Sequence, residues 1–345
     1  EGVVVGMDHG AKPRSGGAGR QGAQCVRQHR LAGQPAILLG HVAAEAMAAS
    51  GGHDQNGDVF RRRRHASSSA TGADARQMGR SRYAAAVRLA ILQAMKKHDQ
   101  KLGCNAVLIG GLPVEGRAIL APMSGVTDHG MRRIARRFGA ALVVSEMVAA
   151  DDFARGDAES RLRAEGEGVE PHVVQIAGCD PHWMGEAARL AEASGAAMID
   201  INMGCPARKV TGGLAGSALM REPDLAMALV RATVAAVKIP VTLKMRLGWD
   251  HAALNAPDLA VRAEAEGVAM ITVHGRTRQQ FYKGRADWAA IRAVRERIAI
   301  PLVANGDCAS PADAVEMLRQ SGADAVMIGR AAVGRPWLVG DIAHA

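Results

Sequence analysis

Residues 172–204 read HVVQIAGCDPHWMGEAARLAEASGAAMIDINMG. The two ends, HVVQIAG (172–178) and AAMIDINMG (196–204), are short apolar runs with the grammar of buried strands. Between them, DPHWMGEAARLAEAS sets apolar residues three and four apart, the period of a helix. Asp180-Pro181 reads as an N-cap followed by proline at the first helical position. The unit is therefore strand, helix, strand. It recurs at RAILAPM (117–123), ALVVSEMV (141–148), PVTLKMRLG (240–248), MITVHGR (270–276), PLVANGD (301–307) and AVMIGR (325–330). A second cap, Ser310-Pro311, precedes PADAVEMLRQS. Eight such runs alternating with helical stretches predict an α/β protein, a (β/α)8 barrel. The structural alternative is a doubly wound sheet. That fold more often has six strands and opens on a Gly-rich turn, and no GxGxxG follows the first run here.

Composition bounds the function. The chain has 345 residues, 48% of them hydrophobic, enough for a sizeable core. Aromatics are only 3%, which argues against a single-strand stacking platform. The most apolar stretch, residues 31–49, is interrupted by Gln34, His41 and Glu45, so no transmembrane helix is expected. The first residues, EGVVVGMDHG, lack the charged start and apolar core of a signal peptide. Five scattered cysteines exclude a disulfide framework and favour a cytoplasmic location.

The net charge of +9 is unevenly placed. Residues 1–94 carry 13 Lys/Arg against 6 Asp/Glu, a net +7, whereas residues 95–345 carry 30 against 28, a net +2. The first segment holds GGAGRQGAQ, the run Arg61 to Arg64 and HASSSATGADAR, with no sustained helical or strand period before about Ser81. It reads either as a basic RNA-binding arm or as a disordered leader, including sequence upstream of the true start. Met95, followed by KKHDQK, would make a sensible initiator. The expected organisation is a disordered basic leader over 1–94 and a barrel over 95–345.

In a (β/α)8 barrel the chemistry sits at the carboxyl ends of the strands. Those positions are Pro122-Met123-Ser124, Glu146, Gln175, Asn202 to Pro206, Lys244 to Arg246, His274 to Arg278, Asn305-Gly306-Asp307 and Gly329-Arg330. Polar groups converge at nearly every one, which a scaffold would not need. The last two runs end in NGD and IGR, where this fold recurrently binds phosphate. Gly306 and Gly329 would let backbone N–H groups approach, and Arg330 could pair with the anion. No CxxC or His/Cys cluster has metal-ligand spacing, so no metal is expected.

APMSGVTD (121–128), SEMV, the Gln of VVQIAG, DINMGCPARKVTGGLAGSALM (200–220), TLKMRLGW (242–249), TVHGRTRQQFYKGRADW (272–288), VANGD and MIGRAAVGRPW (327–337) together resemble the tRNA-dihydrouridine synthases. The likeness is to bacterial subfamily B and runs from about residue 109 to 345, with NMGCP followed by GGLAGSAL its most diagnostic part. The resemblance implies an FMN-containing (β/α)8 barrel that reduces the carbon 5–carbon 6 bond of specific uridines in tRNA. NADPH or NADH would reduce FMN, and reduced FMN would pass hydride to uracil carbon 6. Cys205 matches the acid that protonates carbon 5. An ordinary thiol is mostly protonated at neutral pH and can donate. A free Cys is more often a small buried residue, but Cys205 stands on a loop between Gly204 and Pro206.

The remaining roles also come from the resemblance. Lys244 matches a flavin-contacting lysine, Gln175 a residue on the flavin's polar edge, and Pro122, Met123 and Ser124 the loop along the ring. His274 matches a histidine near the cofactor. Asn305, Gly306, Asp307, Gly329 and Arg330 match the phosphate cradle. Asn202, Lys209, Arg276 and Arg278 lie where the family meets the target base and nearby backbone. The expected partners are tRNA and NADPH, with no membrane and no metal, and the expected state is a monomer. The family follows its barrel with a helical tRNA-binding domain, and this chain stops 16 residues after Gly329. A C-terminally truncated barrel that binds tRNA weakly is therefore expected. The alternatives are an FMN barrel acting on a free pyrimidine, such as a dihydroorotate or dihydropyrimidine dehydrogenase, and a non-catalytic RNA-binding protein.

Overall fold

The computed structural model describes residues 106–345. The segment read as a leader, its possible RNA-binding role, the start at Met95 and the boundary at residue 94 lie outside the described residues. A hairpin comes first, β1 (Ala106–Ile109) and β2 (Leu112–Glu115). Eight parallel strands then close a barrel: β3 (Ala118–Leu120), β4 (Leu142–Ala149), β5 (His172–Ala177), β6 (Met198–Met203), β7 (Val241–Arg246), β8 (Met270–His274), β9 (Leu302–Asn305) and β10 (Ala325–Ile328). Closure is made by β10, which pairs with both β9 and β3. Each of the eight apolar runs contains one barrel strand, so the (β/α)8 reading holds and the doubly wound sheet does not.

Alternation along the strands divides the molecule into layers. Ile199, Ile201, Met203, Leu243, Met245, Ile271 and Val273 face outward and pack with helix residues such as Met184, Ala188, Leu229, Val230 and Leu259. Burying an aliphatic side chain of this kind contributes about 1.5–3 kcal/mol. The helices begin where the sequence placed caps. The Asp180 side chain accepts from the His182 and Trp183 N–H groups ahead of helix Pro181–Ala193. Ser310 accepts from the Asp313 N–H ahead of helix Pro311–Ser321.

The hairpin is the element that the periodicity did not foresee. Its Val107, Ile109 and Val114 join Leu142, Met198, Met270 and Ala325, all at the starts of barrel strands. The hairpin thus plugs the amino end of the barrel. Its turn, Gly110-Gly111, has φ of +56° and +91°. A Cβ on Gly110 would come within 2.9 Å of Pro240 and 3.1 Å of Ala269, so only glycine lets the turn seat there.

With that end filled, the inward-facing residues nearer the carboxyl ends are polar. They are Asp200 and Asn202 on β6, Thr242, Lys244 and Arg246 on β7, Thr272 and His274 on β8, and Asn305 on β9. Purely parallel sheets are ordinarily apolar on both faces, so a polar inner face at one end marks that end as the working one.

Candidate active site

A cavity of about 680 Å³ opens at the carboxyl ends of the strands, within the roughly 300–1,000 Å³ of ordinary ligand sites. Of the residues given a catalytic, cofactor or substrate role in the sequence, all but Lys209, Arg276 and Arg278 line it. A wider depression of about 1330 Å³ lies against helix Ala158–Ala164 and the loop from Glu165 to His172. It sits at the amino end of β5, away from the converging polar groups.

The loop bearing Cys205 is held on both sides of that residue, at its N–H and at its carbonyl. The Asn202 Oδ1 accepts from the Cys205 N–H at 2.9 Å and from the Gly204 N–H at 3.1 Å. The Cys205 carbonyl accepts from the Ser217 N–H at 3.0 Å and from its hydroxyl at 2.8 Å. Ser217 reaches it because Gly216, at φ +58°, passes against Cys205. A Cβ there would lie 2.8 Å from the Cys205 carbonyl oxygen and 3.2 Å from its Cβ. The two most diagnostic motifs, NMGCP and GGLAGSAL, are therefore one device in space: the second clamps the first.

Lys244 lines the cavity on β7, in register with Asn202 of the neighbouring strand β6. Its ammonium donates to Asn305 Oδ1 at 3.2 Å. Burial, then the neighbouring Arg246, lowers its pKa to about 8, while Asp200 and Cys205 oppose the shift. His274, on β8, is held well below the usual imidazole range by burial and by Lys244, Arg246, Arg276 and Arg330. Its ring is neutral at physiological pH. Arg276 donates to its Nε2 at 3.3 Å, which leaves the ring proton on Nδ1.

The turns after β9 and β10 carry the charged rim. Gly306 has φ +121°, and a Cβ there would meet Ala286 at 2.7 Å and the His274 ring at 2.9 Å. Asp307 holds two arginines, Arg276 at 2.6 Å and Arg330 at 3.2 Å, and accepts from the Ala286 N–H at 2.8 Å. Its carboxyl stays below the usual range because these bonds outweigh burial, the largest single influence on it. Around the cavity, Lys244, Arg246, Arg276 and Arg330 face only Asp200 and Asp307 in opposite charge, so the site favours anions.

Three of the residues expected to meet the target base or nearby backbone do not line the cavity. Arg276 is 1% exposed and its guanidinium is engaged by protein groups. Its N–H bonds back to the His274 carbonyl at 2.7 Å, and its guanidinium reaches the Gly284 carbonyl and Asp307. Asp307 thus pairs with both Arg276 and Arg330 at the cavity rim. Arg278 lies 4.5 Å from the Trp249 ring centre and 4.8 Å from that of Phe281, outside the cavity. Lys209 is exposed on the short helix Arg208–Thr211.

Asp200 and Cys308 were not singled out by sequence, and Arg246 and Glu146 only as strand ends. Asp200 is fully enclosed, accepting from Thr242 and Gln175. Arg246, 1% exposed, donates to the carbonyls of Gly204, Thr277 and Phe281, joining the Cys205 loop to the loop after β8. The strand alternation DIN and LKMR carries both signals, since i and i+2 share a face. Glu146 stands at a register shift in β4 and accepts from the Gly125 N–H, fixing the loop of Pro122 to Ser124 rather than entering the cavity. Cys308 lines the cavity, but burial pushes its thiol up to about 12. Among the described residues, no cluster of three His, Cys, Asp or Glu has metal-binding separations, and no helix is long and apolar enough to cross a membrane.

The family model for dihydrouridine synthase matches residues 119–345. A probable tRNA-dihydrouridine synthase from Rhizobium leguminosarum bv. phaseoli is 62% identical over 234 residues, covering 68% of this chain and 74% of the relative. A tRNA-dihydrouridine synthase B from Xanthomonas axonopodis pv. citri is 50% identical over 237 residues, 68% of this chain and 71% of the relative. Among solved structures, histamine dehydrogenase from Rhizobium sp. 4-9 matches with a TM-score of 0.53 at 16% identity, over 68% of this chain and 46% of that one. That last likeness speaks to the barrel fold alone.

Proposed function

The chain belongs to the dihydrouridine synthase family, and from that premise we propose that it reduces uridines in tRNA to 5,6-dihydrouridine, with a bound FMN and NADPH as reductant. One observation carries the reading: Cys205, on a doubly pinned loop, opens into the same cavity as Lys244, Gln175, Asn305 and Arg330.

The size of the cavity and its basic lining support a bound flavin mononucleotide. Gly306, which a Cβ would jam against His274 and Ala286, brings backbone close at one end, with Arg330 beside it for a phosphate. Lys244 would stand by the ring system, where a buried cation stabilises developing negative charge. Gln175 and Asn202 each keep an N–H that no protein group takes, a donor for a carbonyl oxygen. When bound, the flavin supplies the hydride equivalent drawn from NADPH. The chain supplies the proton: Cys205 delivers it from its sulfur to uracil carbon 5 and recovers it from solvent. The target base must leave its stack to come within reach of this floor. Lys209 and Arg278, outside the cavity, are placed to meet the surrounding tRNA backbone.

The test is direct. The purified chain is reconstituted with FMN, given NADPH and unmodified tRNA, and the digested tRNA is assayed for dihydrouridine by mass spectrometry. Product from tRNA and none from free orotate or uracil supports the reading. Turnover of the free pyrimidine with inert tRNA overturns it.

A further inference from the structure

Asp200 has no place among the groups that meet substrate or cofactor. It is 2% exposed and faces inward one pleat below Asn202. Its Oδ1 accepts from the Thr242 hydroxyl at 2.6 Å, and its Oδ2 accepts from Gln175 Nε2 at 2.7 Å. Gln175 Oε1 accepts from Asn202 Nδ2 at 2.8 Å. Asn202 Oδ1 accepts from the Gly204 and Cys205 N–H groups. The bonds form one directed chain from the barrel interior to the backbone of Cys205. The register puts its members side by side, Gln175 opposite Asp200 and Asp200 opposite Thr242.

A side-chain amide has a donor end and an acceptor end, so two amides in series can run either way. A carboxylate only accepts. With Asp200 at the head, Gln175 must turn its NH2 inward and its carbonyl toward Asn202. Asn202 must then turn its NH2 to Gln175 and its carbonyl to the loop. The reverse order would set carbonyl against carboxylate at one end and NH2 against two N–H groups at the other. We propose that Asp200 is a positioning residue for the acid-bearing loop: by accepting only, it fixes the polarity of the Gln175–Asn202 chain and so holds the Gly204–Cys205 backbone in place. The kinetic half of this proposal rests on the reading of Cys205 as the acid. The structural half does not.

The same polarity decides what the cavity floor offers. With both carbonyls committed to protein donors, the spare groups on Gln175 and Asn202 include an N–H each, and the floor presents donors to ligand oxygens. Burial pushes the Asp200 carboxyl above the usual range, and the bonds from Thr242 and Gln175 and the charge of Lys244 oppose that shift.

The test compares Asp200→Leu, which keeps bulk and removes the acceptor, with Asp200→Asn. In the latter the new carbonyl can still take Gln175 while its NH2 turns to Thr242. Amide exchange is followed by mass spectrometry on the segment holding Gly204 and Cys205, with neither flavin nor tRNA present. Loss of one buried hydrogen bond is worth roughly tenfold in local opening. The leucine variant should raise exchange at those two amides about tenfold, with the remainder of β5, β6 and β7 unchanged, and the asparagine variant should restore protection. In the enzyme saturated with FMN, Asp200→Leu should slow uridine reduction by a larger factor than flavin reduction by NADPH. Should Asp200→Leu fail to fold, Gln175→Leu cuts the chain at its next link and must give the same local rise. Unchanged exchange at Gly204 and Cys205 overturns the proposal, and so does a rise spread over the three strands. Because exchange needs no catalysis, a dispensable Cys205 would sink the functional reading and leave this result standing.

Discussion

Arg276 Nη2 lies 2.6 Å from Asp307 Oδ2, with the Arg276 side chain 2% exposed and that of Asp307 29% exposed. The pair ties the turn after β8 to the turn after β9, and Asp307 passes the restraint on to Arg330. A residue that reads in sequence as a free basic contact is thus part of the frame. Arg276→Met should destabilise the barrel by roughly 2–3 kcal/mol, less than the about 3–5 kcal/mol of a fully buried pair because water reaches Asp307. Denaturant unfolding measures the loss, and FMN titration should show weaker binding as Arg330 is released. An unchanged unfolding midpoint would count against the pairing.

Cys205→Ala should bind FMN normally and accept electrons from NADPH, since the thiol serves only base reduction. Dihydrouridine formation should fall by about 10²–10⁴-fold, the usual cost of losing a general acid. Near-normal product formation would remove Cys205 from the mechanism.

Lys244 gives the site a pH limit. Its pKa is about 8, so the ammonium is present below that value and lost above it. Affinity for an anionic ligand in the cavity should therefore fall as pH rises through about 8. Asp200→Asn should shift the midpoint lower, because Asp200 holds the proton on Lys244. For stability the sign is opposite: a lysine whose folded pKa is depressed penalises the fold while protonated, and the penalty fades between about 8 and its ordinary 10.5. Lys244→Met should then melt higher at pH 7 yet bind flavin less well. A flat binding profile between pH 7 and 9 would contradict the assignment.

Gly216→Ala tests the clamp on the loop. The residue sits at φ +58°, where a non-glycine costs roughly 1–2 kcal/mol, and the new Cβ would strike the Cys205 carbonyl. A folded protein with retained flavin and at least tenfold slower uridine reduction is expected. Parent-like turnover would show that the 216–217 turn does not set the position of Cys205.

The architecture was legible from sequence because barrel strands announce themselves locally. A parallel strand buried on its outer face must be apolar at every second position, and the helix between two strands must carry its own period and cap, as Asp180-Pro181 and Ser310-Pro311 do. The hairpin β1–β2 escaped because no helix follows either of its strands, so it lacks the strand-helix alternation that marks the barrel units. Its signal was the Gly110-Gly111 pair between two apolar runs, the mark of a two-residue hairpin loop.

The sequence by itself settled which residue types end each strand, and hence that Cys205, Lys244, Gln175, Asn305 and Arg330 meet at one mouth. That follows from topology alone, since every barrel strand delivers its carboxyl end to the same face. Only the tertiary structure decided what each polar group does there. Arg276 and Arg278 are alike on paper and two residues apart, yet one is locked on Asp307 and the other lies beside Trp249 and Phe281. Asp200 reads as one acid in an apolar strand until Thr242 and Gln175 are seen on either side of it. A side chain's partners come from strands and loops distant in sequence, and burial makes those partners decisive, because inside the barrel a polar group without one is costly.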